Sequence, residues 1–353
     1  MMTAGFLFFV IQLLLLILVA LWGTLAASLY YRKRRTAKLR EIERTFAEVT
    51  SQHLYPLPNE VPDLIRVQRA FRDAGVVRSQ PKNVQYLIDL MIRTQRSILG
   101  ENYLKLETLF KQIPPFRASV RKLESKKWYV KARGIREIYE MDQKQHLREL
   151  IRERNNRNIY VRREAQIAIV VFLGWDSLRF LPYLKREMTL WQQIKVVEKL
   201  HDLYPEPRLK YLRKAYKVKK PYAQELIMRI IRKFNLETEV DYILQFLDHE
   251  NFDRREAAIY CISSFQLKEE KLIEVKRKFF KIPNTEQQVH LLKFLQNVSG
   301  SPDLQFFRRV LKEGNDVLKL STAEILWNSG HKKEVQEFYY RQYTDQSLEV
   351  IAE

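Results

Sequence analysis

The sequence predicts an all-α protein: a single N-terminal transmembrane helix followed by an α-solenoid of about seven two-helix repeats. Three observations carry this expectation. Apolar residues recur with a period near 31 over residues 128–343. No charged side chain precedes Arg32. Only 9 of the 353 residues are glycine, and no GxxxxGK[ST] or GxGxxG string is present, which sets aside nucleotide folds built on glycine-rich loops.

The first element is the anchor, residues 1–31. From Gly5 to Tyr31 the only strongly polar side chain is Gln12. As a helix rising ~1.5 Å per residue this run would reach roughly 40 Å, longer than the ~30 Å hydrocarbon core of a bilayer. Tyr30 and Tyr31 sit where an interfacial aromatic belt belongs. A cleaved signal peptide is the competing reading, with Ala26-Ala27-Ser28 as its weak cleavage site. The absence of a basic n-region and the length of the apolar core argue against it. Basic residues follow the span and none precedes it. Arg32, Lys33, Arg34 and Arg35 are therefore the topogenic cluster, placing the N-terminus outside and the rest of the chain in the cytoplasm.

Residues 32–63 are expected to be a short, polar juxtamembrane helix (Thr36 to His53) and a linker, "LYPLPNEVPD", broken by three prolines. Residues 64–127 read as helices forming an N-terminal cap for the array. The tail, residues 344–353, is polar.

The array itself, residues 128–343, is defined by columns. Gly134, Ala165, Val196, Ile227, Ala258, Leu291 and Ala323 form the first. Four residues on lie Ile138, Ile169, Leu200, Ile231, Ile262, Leu295 and Trp327, and three further Met141, Phe172, Leu203, Phe234, Phe265, Val298 and Gly330. Offsets of zero, four and seven mark one helix face. A second helix per unit follows, with Leu147, Leu178, Leu209, Val240, Leu272, Leu304 and Val335 in one column. Leu150, Leu181, Leu212, Ile243, Val275, Phe307 and Phe338 form the other. Breakers separate the helices: Gly174 with Asp176, Pro205, Asn235, Pro283, and Gly300 with Pro302. One hairpin cannot bury both its faces alone, and stacked neighbours can. The string RREA, at Arg162–Ala165 and again 92 residues later at Arg254–Ala257, reads as a repeat fragment one residue short of three periods.

With "VRREA" in the first helix and a two-helix unit, the chain resembles the HEAT-repeat family in its short, ~31-residue form, in particular membrane-anchored HEAT-repeat proteins of bacterial type. The usual first-helix proline is missing, and ordinary HEAT units run to about 40 residues. A tetratricopeptide array is the alternative, but its 34-residue period and W-LG-Y-A-F-P pattern do not occur here. The resemblance implies a scaffold or adaptor that binds another protein, and association with a membrane glycosyltransferase or envelope polysaccharide system.

The residues point to a binding protein more than to an enzyme. The six histidines form no HExxH and no close pair with the single cysteine, Cys261, which falls on a buried helix face. No carboxylate pair is fixed in a dry pocket, as general acid–base work needs. No catalytic, cofactor-binding or metal-ligating residue is assigned, and no cofactor. Trp128, Trp175, Trp191 and Trp327 would suit a HEAT-like glycosylase, the lesser alternative. The charge is more informative. A net +20, from 62 Lys and Arg against 42 Asp and Glu, suggests an acidic protein, anionic lipid or nucleic acid. Nucleic acid ranks below the other two because of the anchor. In "EPRLKYLRKAYKVKKP", Lys210, Arg213, Lys214 and Lys217 lie together, opposite Leu209, Leu212 and Tyr216. They form the candidate partner surface, expected on second helices facing the groove. "EVKRKFFK" and "FFRRVLK" add charge to later second helices.

Overall fold

The computed structural model describes residues 2–55, 63–98, 100–298 and 303–340, without the side chains of residues 2–5, 7, 10 and 298. Among the described residues there is no β-strand, and the fold class is all-α with HEAT-like two-helix repeats. The chain divides into two compact units, Met1–Ala168 and Ile169–Glu353. The proline-rich linker at 56–62, the Gly300 and Pro302 breakers and the tail at 344–353 lie outside the described residues.

Unit 1 begins with a helix of 53 residues, α1 (Met2–Leu54). Every described side chain from Phe6 to Tyr31 is exposed. The same helix then runs without a break into the segment expected to be short and polar. That expectation is corrected: Ile42, Phe46 and Val49 are buried at spacings that line up one helical face, and Leu54 is buried at the helix end. They pack with Phe71 of α2 (Leu64–Asp73), Leu87, Ile88 and Met91 of α3 (Pro81–Ser97), and Leu106, Leu109 and Phe110 of α4 (Glu101–Gln112). The intervening lysines and arginines mask this stripe in composition, since they occupy the other faces.

Helix α5 (Pro114–Leu123) then meets α6 (Trp128–Glu140) closely. Gly134 makes this possible, because a Cβ there would lie 2.5 Å from Lys122 Cβ. The buried Glu137 carboxylate accepts from Lys122 Nζ at 2.7 and 2.6 Å, from Ser119 Oγ at 2.6 Å and from Gln85 Nε2 at 2.9 Å. Removing one partner of such a pair typically costs ~3–5 kcal/mol, because the other charge is left buried. This network ties α3 and α5 to α6.

The repeats alternate long first helices with short second ones. First helices are α6, α8 (Ile159–Leu173), α9 (Leu190–Leu203), α11 (Pro221–Lys233), α13 (Phe252–Ile262), α15 (Thr285–Val298) and α17 (Asp316–Asn328). Between them lie α7 (Leu147–Arg152), a 3-10 segment at Gly174–Tyr183, α10 (Leu209–Ala215), α12 (Val240–Leu244), α14 (Glu269–Phe279) and α16 (Leu304–Glu313). A further helical stretch covers 332–340. The second helices account for the short period: α12 has only 5 residues and α7 only 6.

One joint recurs between first and second helices. Asp142 (φ 48°), Asn235 (φ 49°) and Gly330 (φ 87°) adopt the left-handed conformation just past α6, α11 and α17. At each, the next amide donates to the carbonyl five residues earlier: Gln143 to Ile138, Leu236 to Ile231, His331 to Leu326. This is the Schellman closure, which satisfies the last carbonyls of a helix in a single turn. Gly174 (φ 54°) occupies the same joint after α8, where a Cβ would come within 2.9 Å of the Tyr204 ring.

The columns are largely buried. All seven residues of the first column are, and in the second Ile138 through Leu295. Three described positions of the first-helix columns are exposed, Leu203, Trp327 and Gly330, and the Val298 side chain lies outside the described residues. Trp327, expected in the core, is 44% exposed and lies 5.0 Å from Lys332 Nζ, while the adjacent Leu326 is buried. Leu203 is exposed, and Tyr204 turns inward instead, donating from its hydroxyl to Val171 O at 2.6 Å. Repeats of 31, 32 and 33 residues let the helix face rotate by one position. The RREA register is corrected as well. Arg162 Nη1 donates to Asn156 O (2.9 Å) and Arg157 O (3.4 Å), and Arg255 Nη1 to His249 O (2.6 Å) and Glu250 O (3.3 Å). The equivalent arginines are therefore 93 residues apart, three full periods, and the two strings are offset by one. Each arginine clamps the turn that precedes its own helix.

Candidate functional site

In unit 2 the helices α9, α11, α13 and α15 line an open groove of about 1300 Å³. It lies on first helices. No residue of α10 lines it. Its lining has six acidic against three Lys or Arg residues, the reverse of the chain as a whole.

Two of the three basic groups of the groove, Arg229 and Arg232, are held internally, and Lys233 is exposed. Arg229 donates to Gln193 Oε1 at 2.7 Å and to Glu225 at 3.4 Å, while Gln193 Nε2 reaches Glu225 at 3.0 Å. The Arg232 guanidinium lies 3.8 Å from the centre of the Tyr260 ring and donates to Ser264 Oγ at 2.7 Å. Four acids, Glu187, Asp253, Glu256 and Glu286, are exposed and have no ion-pair partner among the described residues. Beside them stand three exposed large side chains, Leu190 on α9 and Phe252 and Tyr260 on α13. Phe252 and Leu190 are 62 residues apart and begin their helices, so the period itself places an apolar group at each rim. Cys261, behind this face, is fully buried, and burial pushes its thiol up to about 11. Among the described residues no group of three or more His, Cys, Asp or Glu is arranged to hold a metal. The arrangement offers a recessed surface with apolar anchors and fixed negative charge.

The expected partner surface is only partly free. Lys210, Arg213, Lys214 and Lys217 are all exposed. Arg213, however, is paired with Glu239 of the next repeat at 2.5 Å, and Tyr216 donates to the same carboxylate at 2.6 Å. Burial alone would raise the Glu239 carboxyl, but the Arg213 and Tyr216 bonds and the Arg213 charge outweigh it and hold the group below its ordinary range. Tyr216 stacks on Tyr242 at 4.1 Å. Lys210, Lys214 and Lys217 remain without an acidic partner among the described residues. The later basic stretches are paired too: Lys278 with Asp248 (2.6 Å), Lys276 with Asp303, Arg308 with Glu334 (2.6 Å) and Arg309 with Glu313 (3.0 Å). Most of these partners sit in a neighbouring repeat, which composition along one helix does not reveal. Arg32, Lys33, Arg34 and Arg35 are exposed along α1.

No protein-family model matches the chain, and no curated protein matches it. Among solved structures it is similar to Kap121p, at 11% identity over 82% of this chain and 36% of that one, with a TM-score of 0.48. It is also similar to Kap121p bound to Pho4p, at 13% identity over 81% and 37%, with a TM-score of 0.39. An engineered protein is similar at 13% identity, over 84% of this chain and 92% of that one, with a TM-score of 0.35. The chain spans little more than a third of the length of Kap121p. These are loose likenesses in helical arrangement, without residue correspondence.

Proposed function

We propose that the protein is a membrane-tethered scaffold whose repeat groove holds a cationic, apolar-bearing segment of a partner protein. The observation that carries this is the set of exposed acids, Glu187, Asp253, Glu256 and Glu286, unpaired beside Leu190, Phe252 and Tyr260. Apolar anchors supply affinity when they leave water, and fixed charge of one sign selects the partner. The anchor is the apolar part of α1, which has a mean hydropathy of 2.2 and is 0% buried, whereas Ile159–Tyr183, with a mean hydropathy of 1.3, is 72% buried. The Arg32–Arg35 cluster orients it in the cytoplasmic membrane with the N-terminus outside and the repeats in the cytoplasm. Association with a glycosyltransferase or polysaccharide system belongs to the same reading and rests on the family resemblance alone.

The test uses the full chain in detergent micelles and a pair of fluorescent peptides, one bearing Lys and Trp, the other Glu and Trp. The Lys peptide is expected to bind, and Asp253→Lys with Glu256→Lys to abolish it. Equal binding of both peptides, or no effect of the double change, rejects the groove as a charge-selective site.

A second surface is favoured by the three unpaired lysines of the α10 region, which would suit an acidic partner or anionic lipid. Reversing Lys210, Lys214 and Lys217 to Glu, with Arg213 left in place to hold Glu239, is expected to leave helix content unchanged. An unaltered partner profile and unaltered sedimentation with anionic vesicles would reduce these lysines to a solvated face.

A further inference from the structure

We propose that the turn between α2 and α3, residues 72–82, is a headgroup-binding surface for anionic phospholipid. This rests on the reading of α1 as a membrane span. The argument begins with the continuity of α1. Between Thr24 and Leu54 it contains neither glycine nor proline, and its lower part is locked in the cap by Ile42, Phe46, Val49 and Leu54. A helix without a hinge transmits position, so the cap stays within reach of the membrane and approaches or leaves the headgroups only as α1 tilts.

Contacts along α1 give the direction of the cap. A Cβ built on Gly75 would lie 2.7 Å from Lys38 Cε and 3.2 Å from Gln80 Oε1, so this turn touches α1 at Lys38. Tyr86 on α3 bonds to Glu43, further from the apolar run. Lys105 and His53, at the far end, join α4 to the last turn of α1. Helix α3 therefore starts at the membrane side and runs away from it, and the α2–α3 turn is the membrane-proximal edge of the cap. Lys38 is seven residues past Tyr31, about 10 Å along the helix axis. That is about one Debye length from the headgroups at physiological salt, and less for an extended arginine.

The charge of this edge fits its position. Arg72, Arg78 and Lys82 are exposed and have no acidic partner among the described residues, and Asp73 is the sole acid from 72 to 82. They add to Arg32–Arg35 on α1, giving cationic groups on two elements that face one plane. The N-terminus of α3, 17 residues long and without a side-chain cap, points the same way and adds partial positive charge. Val77, half-buried at the tip, gives the turn an apolar residue for the interfacial layer.

The test places the full chain in nanodiscs of phosphatidylcholine alone or with phosphatidylglycerol. A spin label is attached at Ser79→Cys; the native Cys261 is buried, which keeps labelling selective. The label is expected to be shielded from a water-soluble relaxation agent in the anionic discs and open to it in the neutral ones. Arg78→Glu with Lys82→Glu should lower the shielded population on the order of tenfold. Equal accessibility in both discs, with the chain inserted, overturns the headgroup surface and leaves the anchor standing. Failure of the chain to enter either disc overturns the anchor and this surface together. Unchanged shielding in the reversed variant, with its melting intact, likewise overturns it.

Discussion

The two helix layers of unit 2 use charge in opposite ways. The second-helix layer is stitched from repeat to repeat by ion pairs: Arg213 with Glu239, Lys271 with Asp241, Lys278 with Asp248, Lys276 with Asp303, Arg308 with Glu334. The first-helix layer buries its columns and leaves Glu187, Asp253, Glu256 and Glu286 unpaired along a groove. The difference follows from geometry. First helices such as α9 and α11, 14 and 13 residues long, pack a continuous apolar face. The second helices α10 and α12, 7 and 5 residues long, offer a shorter apolar face, and side chains reaching across to the next repeat supply part of the cohesion. Charge that is already satisfied is a weak candidate for binding, and unsatisfied charge beside exposed aromatics is a stronger one.

The largest expected effect tests the layer that is packed. Ile231 is fully buried, and Ile231→Asp should cost more than about 3 kcal/mol by placing an unpaired charge among apolar neighbours. Ile273, 60% exposed on α14, should tolerate the same change within ~0.5 kcal/mol. Denaturant unfolding of the full chain in micelles checks both, and equal losses would mean that the layers are not distinct.

A smaller effect tests the stitching. Glu239 accepts from both Arg213 and Tyr216 while itself buried, so Glu239→Ala should destabilise by roughly 1–3 kcal/mol. The pH dependence has a definite sign. Asp303 is held below the usual carboxylate range by the Lys276 bond. Asp248, despite its burial, is held low by the Lys278 bond and charge, and Glu239 is low as well. Each contributes stability that is fully present above the unfolded-chain carboxyl pKa near ~4 and is lost as pH falls through the lower folded value. Unfolding midpoints should therefore fall below about pH 4, and Asp303→Asn should flatten part of that fall. The smallest effect on stability belongs to the groove: Asp253→Asn with Glu256→Gln should leave the midpoint unchanged while weakening cationic peptide binding. A large loss of stability there would make those acids structural.

What could be read in the sequence follows from what is local or periodic. The apolar columns, the breakers Gly174 and Asn235, and the buried Cys261 are set by neighbours on the same helix or one period away. The first-helix groove was missed because its acids are scattered, with Glu187 ahead of α9, Asp253 and Glu256 on α13 and Glu286 on α15, and only the fold gathers them. The signal that was available is the repeated large apolar residue opening four of the first helices: Trp128, Ile159, Leu190 and Phe252 fall on the 31-residue period yet outside the core columns. The basic run around α10 was legible as charge, but Glu239, 26 residues from Arg213, was not legible as its partner. Likewise Ile42, Phe46 and Val49 were hidden among basic residues because their apolar face needs the cap to give it meaning.

The central claim is that the partner lies along the first-helix groove and not on the second-helix layer. It is tested most directly by a photoactivatable phenylalanine analogue placed, in separate full-length variants in native membranes, at Phe252, Tyr260, Lys214 and Ile273. The account predicts a shared adduct from Phe252 and Tyr260, lost on Asp253→Lys with Glu256→Lys, and no such adduct from Ile273. The same adduct from Lys214 or Ile273, with none from the groove positions, would contradict it.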